Sequence, residues 1–129
     1  MKDFRQLKVW EKAHALTLAV YRATAPFPRE ELFGITSQMR RCSASIAANL
    51  AEGCGRTGDG DFHRFLNVAA GSALEIEYFL LLARDLNLLP TAAYDELQKM
   101  AVEVQRMLGS LLRTVDRTRK GKPGLVANR

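Results

Sequence analysis

The sequence predicts an all-α protein, an antiparallel up-down-up-down four-helix bundle that associates with itself. Three observations carry this. Apolar residues recur at alternating steps of four and three along nearly the whole chain, and the period-two alternation of a strand is found nowhere. Proline and glycine gather at three interruptions. The length of 129 residues suits one domain, because two would leave each half near the lower limit for a self-supporting core.

The first helix is expected over residues 7–25, where Val9, Ala13, Leu16, Val20 and Ala23 share a face and Pro26-Phe27-Pro28 supplies the stop. The second is expected over 31–53, with Ile35, Met39, Cys42, Ile46 and Asn49 facing inward and a glycine-rich run from Gly53 ending it. Asp59 or Asp61 can cap the third, over 59–87, whose inner positions are Phe62, Phe65, Ala69, Ser72, Ile76, Phe79, Ala83 and Leu86. Asn87 and Pro90 close it, and at about 1.5 Å per residue it is about 40 Å long. Thr91 can cap the fourth, over 91–118, which has the most regular heptad: Tyr94, Leu97, Ala101, Val104, Leu108, Leu111 and Val115.

Short connections make successive helices antiparallel neighbours, and seams repeating every 3.5 residues favour near-parallel packing with a left-handed supercoil. The bundle is assigned to residues 1–119 and a flexible basic tail to 120–129. Leu66, Leu74, Leu80, Leu81, Leu82, Met100, Met107 and Leu112 lie off these seams. An apolar surface that wide predicts a homo-oligomer.

The net charge of +5 is concentrated rather than spread. Arg117, Arg119, Lys120, Lys122 and Arg129 face no acid after residue 117, which leaves 14 bases against 14 acids in the rest of the chain. Residues 1–64 hold 10 bases and 7 acids, and residues 65–116 hold 4 and 7. Such a tail is either a solvated end that aids solubility or a phosphate-binding arm. The longest uninterrupted apolar runs, such as Phe79 to Ala83, predict no transmembrane helix. The charged opening of Lys2, Asp3 and Arg5 gives no secretory leader, so a cytoplasmic location and no membrane partner are expected.

Catalytic motifs do not assemble. Gly53-Cys54-Gly55-Arg56-Thr57-Gly58 has the spacing of a dinucleotide fingerprint, but that fingerprint needs a strand entering the turn, and here a helix enters. Glu11 and His14 have the spacing of a di-iron ligand pair, yet the second histidine, His63, follows Gly60 at that interval and no second pair exists. Cys42 and Cys54 lack partners for zinc and read as reduced thiols. Neither cofactor nor metal is expected, and no enzyme. A polar stripe is less usual: Gln38, Arg41, Ser45, Asn49, Glu52 and Arg56 on helix two, with Ser72 and Glu75 opposite on helix three. It reads as a structural network, with Arg41 reaching Glu75 or Glu52, and otherwise as a ligand or catalytic site or the lining of a channel.

The strings Val9-Trp10, Ala13, Leu16, Tyr21, Phe27-Pro28, Glu31, Phe33-Gly34 and Gln38 resemble the opening of a family of bacterial four-helix bundle proteins first noticed as reading frames in 23S rRNA intervening sequences. The likeness continues through Arg40-Arg41, Ser45-Ile46, Asn49-Leu50-Ala51-Glu52-Gly53 and Gly55-Arg56, then Phe62, Phe65-Leu66, Ala69, Gly71-Ser72, Leu74-Glu75 and Glu77, over roughly residues 7–115. Cys42 and Ala47 depart from it, standing where the family more often has Ala and Pro. The resemblance implies a ring-like homopentamer without catalytic activity. It extends to the accessory protein of diversity-generating retroelements, a basic pentamer that binds a reverse transcriptase.

The expected function is RNA or nucleoprotein binding through phosphate contacts. The candidate residues are Lys8, Lys12, Arg40, Arg56, Arg64, Arg117, Arg119, Lys120 and Lys122. The alternative is a protein-protein adaptor with no direct nucleic-acid role. Gly71 beside Ser72 is expected to let two helix backbones approach, and Gly53 to Gly60 to permit a tight reversal.

Overall fold

A computed structural model describes residues 3–121, with side-chain surroundings as far as Thr118. Four α-helices and no strand occur among the described residues: α1 (Lys8–Thr24), α2 (Ser37–Cys54), α3 (Asp59–Asp85) and α4 (Thr91–Gly121). Each helix packs on two others, α1 on α2 and α4, and α3 on α2 and α4, so that the four enclose one core. Leu16, Met39, Ile46, Leu50, Leu66, Ile76, Leu80 and Leu108 are fully buried in it. Each such side chain contributes about 1.5–3 kcal/mol on leaving water.

The predicted inner positions of α1 and α4 are nearly all buried, because a regular 3.5-residue stripe has a single reading. On α3 the stripe is wider than expected. Leu66 and Leu80, read as off the seam, are fully buried, because α3 packs on both α2 and α4 and buries two adjoining strips. Leu86, read as an inner position, is instead 53% exposed, since α3 has ended at Asp85. Asn87 follows in the left-handed conformation (φ 61°), and its N–H donates to the Arg84 carbonyl while that of Leu88 donates to Ala83. This is a Schellman stop built on asparagine.

Other expectations are corrected at the ends of helices. Gly58 holds the N-cap position of α3, and Asp59 and Asp61 lie in its first turn, where their charge complements the helix dipole. Thr91 is the first residue of α4 rather than its cap. Helix two begins later than read: a 3₁₀ turn, Arg29–Glu31, and a π-type turn, Leu32–Thr36, precede α2. Gly34 has non-helical dihedrals there (φ −109°, ψ −117°), which breaks the periodicity across the junction.

Two glycine roles also change. A Cβ on Gly71 would meet nothing within 4 Å, so Gly71 brings no helices of this chain together. The close approach falls at Gly53, where a Cβ would lie 3.0 Å from Phe65 Cβ and 3.1 Å from Phe62 Cδ1. None of the described glycines has positive φ, so the α2–α3 reversal needs no left-handed residue.

By length and composition α3 is long and apolar enough to cross a membrane, with an 18-residue window of mean hydropathy 1.4, contrary to the expectation from uninterrupted runs. Its inward face, Phe62, Leu66, Ala69, Ala73, Ile76, Leu80 and Ala83, is buried in the bundle core. Its outward face presents Val68, Leu74 and Tyr78, which are 45%, 60% and 57% exposed.

Candidate nucleic-acid interface

Four of the predicted basic contacts, Lys8, Arg56, Arg64 and Arg117, lie where α1 begins, α2 ends, α3 begins and α4 ends. Asp59 and Phe62 line a cleft with Leu111, Thr114, Val115 and Thr118, which places the start of α3 against the last turns of α4. Lys8 borders a second groove with Met107, Ser110, Leu111 and Thr114, which brings the start of α1 to the same region. The Gly53–Gly58 turn completes this end, with Arg56 beside Phe62. Exposed Arg117 continues the surface along α4. The side chains of Arg119 and Lys120, and Lys122 as a whole, lie outside the described residues.

Local pairing tempers this charge. Arg56 makes a 2.8 Å ion pair with Glu52, Arg64 a 3.7 Å pair with Asp61, and Lys12 a 3.5 Å pair with Glu103 across to α4. All six side chains are about half exposed or more, so these pairs are worth about 0–1 kcal/mol and are readily exchanged for a phosphate. The guanidinium groups of Arg56 and Arg64 also lie over the Phe65 ring, at 5.2 and 4.5 Å from its centroid. Arg40 stands apart from this group: it is half-buried, donates from Nε to Thr24 Oγ1 (2.9 Å) and lies 4.8 Å from the Tyr21 centroid.

The polar stripe divides into two parts. The Ser45 and Ser72 hydroxyls share a 2.9 Å hydrogen bond between α2 and α3, and Asn49 Nδ2 donates to both the carbonyl and the hydroxyl of Ser45. Gln38, Arg41, Ser45, Ser72 and Glu75, with Cys42, line an open polar groove of about 370 Å³. The expected bond from Arg41 to Glu75 or Glu52 is not made: Arg41 is exposed and ion-paired to neither, and Glu52 is held by Arg56. Burial pushes the Cys42 thiol up to about 12, with the negative charge of Glu75 adding to the effect, so the thiol is held in its protonated form. Among the described residues no group of three or more His, Cys, Asp and Glu side chains is placed to hold a metal ion.

Sequence reasoning missed several cross-helix bonds. His63 Nε2 lies 3.0 Å from Asp116 Oδ1, and Gln105 Nε2 donates to the Ala73 carbonyl (3.1 Å) and to Glu77 (2.8 Å). Gln105 directly follows the seam position Val104, the one signal that could have marked it. The His14 ring, discarded as a metal ligand, is stacked on Trp10 at 5.0 Å.

A helical protein enclosing one core, with no assembled catalytic constellation among its described residues, belongs to the class of small all-α four-helix proteins. More specifically, the chain belongs to the family of 23S rRNA-intervening sequence proteins, which it matches over residues 5–110. Its fold is similar to that of a protein of unknown function from the S23 ribosomal protein family of Bacteroides thetaiotaomicron. The TM-score is 0.73 at 24% identity, over 81% of this chain and 97% of that one. No curated protein matches the chain. The family is of unknown function, and neither match indicates a catalytic one.

Proposed function

We propose that this protein is a non-catalytic, up-down-up-down antiparallel bundle that assembles as a homopentamer and binds RNA or a nucleoprotein assembly through its basic end and tail. The observation that carries the reading is the convergence of Lys8, Arg56, Arg64 and Arg117 on the end of the bundle from which the tail departs. Cross-helix pairs support the antiparallel course: Thr24 with Arg40 and Thr17 with Ser43, Ser45 with Ser72, and His63 with Asp116 and Ala73 with Gln105. Val68, Leu74 and Tyr78 on one face of α3 support self-association, since they leave an apolar surface that a second copy can cover. Several basic ends on one assembly act together, raising avidity above that of a single weak arm.

The test is binding of structured RNA and duplex DNA at two salt concentrations. The full chain is compared with a variant in which Arg117, Arg119, Lys120 and Lys122 are glutamine. Each lost phosphate contact flattens the slope of log K against log salt by about 0.7–0.9. Absence of salt-dependent binding in the full chain overturns the reading.

The second reading is a protein-protein adaptor. It is favoured by the ion pairs that already occupy Arg56, Arg64 and Lys12. It predicts a complex with one cellular protein that survives nuclease treatment.

A further inference from the structure

We propose that the junction between α1 and α2 is a binding site for a carboxylate carried on an apolar group, separate from the basic end. The site is an open groove of about 300 Å³ with one polar side and one apolar side. Arg40, Arg41, Thr36 and Ser37 form the polar side, Tyr21, Leu32 and Phe33 form the other, and no acid lines it.

The hydroxyl of Thr36 is the first observation that points to a ligand. Thr17, Thr24, Thr114 and Thr118 each donate to the carbonyl four residues back, the usual outlet for a helical threonine. Thr36 is 3% exposed, and its Oγ1 has no hydrogen-bond partner, alone among the buried side-chain nitrogen and oxygen atoms of the described residues. The break at Gly34, two residues before it, interrupts the helical repeat that would supply a partner. A buried hydroxyl left without a bond costs about 1–3 kcal/mol, and because Thr36 lines the groove, an acceptor that reached this hydroxyl would remove that cost.

The second observation is the preset arginine. Arg40 is held by the Thr24 hydroxyl at Nε and lies over the Tyr21 ring, and neither contact occupies its terminal N–H groups. Arg41 is exposed and forms no ion pair among the described residues. Both arginines line this groove and neither is ion-paired among the described residues, although Arg41 also borders the polar groove that holds Glu75, and this charge favours an anion.

The apolar side decides which anion. Phe33 is 93% exposed and Leu32 43%, and the two form a rim that water solvates poorly. A carboxylate has two oxygens and one charge to satisfy on the polar side, and its apolar substituent covers Leu32 and Phe33. Free phosphate would also match the two guanidinium groups, but it brings no apolar group to cover Leu32 and Phe33. A free apolar acid and the C-terminus of a polypeptide ending in an apolar residue share this chemistry.

Calorimetric titration of the full chain with 3-phenylpropanoate, N-acetyl-Phe-Phe and N-acetyl-Phe-Phe-amide tests the site. Saturable binding of either acid, with the amide at least about tenfold weaker, supports it. The tighter of the two acids identifies the source. Arg41→Gln and Thr36→Val should each weaken the acid several-fold. Thr36→Val should leave the melting temperature unchanged or raised, so lost binding is not lost folding. Equal binding of acid and amide, insensitivity to both substitutions, or binding of inorganic phosphate but of neither acid overturns the proposal.

Discussion

His63 on α3 and Asp116 on α4 meet at 3.0 Å, while the side-chain amide of Asn67 lies 3.2 Å from the other ring nitrogen of His63. One tautomer satisfies both contacts, with Asn67 donating to Nδ1 and Nε2–H donating to Asp116. The pair therefore ties the start of α3 to the final turns of α4. His63→Ala and Asp116→Ala should each lower stability, with a coupling of about 0.5–1.5 kcal/mol in a double-mutant cycle of urea unfolding. Strict additivity would mean that the two side chains do not bond in solution.

Gly53 and Gly71 should respond in opposite directions to alanine. At Gly53 the new methyl group meets Phe65 and Phe62 at 3.0 and 3.1 Å, and overpacking should cost about 1–3 kcal/mol. At Gly71 nothing lies within 4 Å, and helix propensity should add about 0.5–1 kcal/mol to the stability of the isolated chain. Thermal unfolding at low protein concentration reads both.

Cys42 should make stability fall at alkaline pH. In the unfolded chain the thiol ionises near its ordinary value of 9.0, whereas burial and the charge of Glu75 keep the folded thiol protonated to about 12. Above pH 9 the unfolded state binds fewer protons than the native one, so the Cys42 contribution is full below that pH and is lost as pH rises toward 12. Cys42→Ala should flatten that limb of the stability profile. The wild-type thiol should resist maleimide until the protein unfolds.

The exposed face of α3 should govern assembly. Leu74→Glu combined with Tyr78→Lys places two charges among the apolar residues of that face and should lower the mass measured by sedimentation, with little change in helicity. An unchanged mass would mean that this face of α3 is not an interface between copies.

The four helices were legible because their core positions repeat so regularly. Val9, Ala13, Leu16 and Val20 can be read along one line, and the structure buries all four. The α1–α2 junction was not legible, since the break at Gly34 shifts the helical phase and turns Phe33 outward where its apolar character suggests the reverse. In the candidate site, the spacing from Ser45 to Asn49 placed both on one face of α2, and their hydrogen bond follows from that. The expected partner of Arg41 failed, because a shared stripe shows which groups are adjacent but not how far each side chain extends into solvent. His63 and Asp116 are far apart in sequence and carry no periodic mark, so only the three-dimensional arrangement pairs them.

α4 runs unbroken from Thr91 to Gly121. Each residue along it turns the chain by about 100° and advances it about 1.5 Å. One residue inserted after Val115 would therefore swing every later position about a quarter turn around the axis while hardly lengthening the rod. The bearing of Arg117 on the last turns of α4 is thus set by residue count, and four extra residues would nearly restore a heading that one or two destroy.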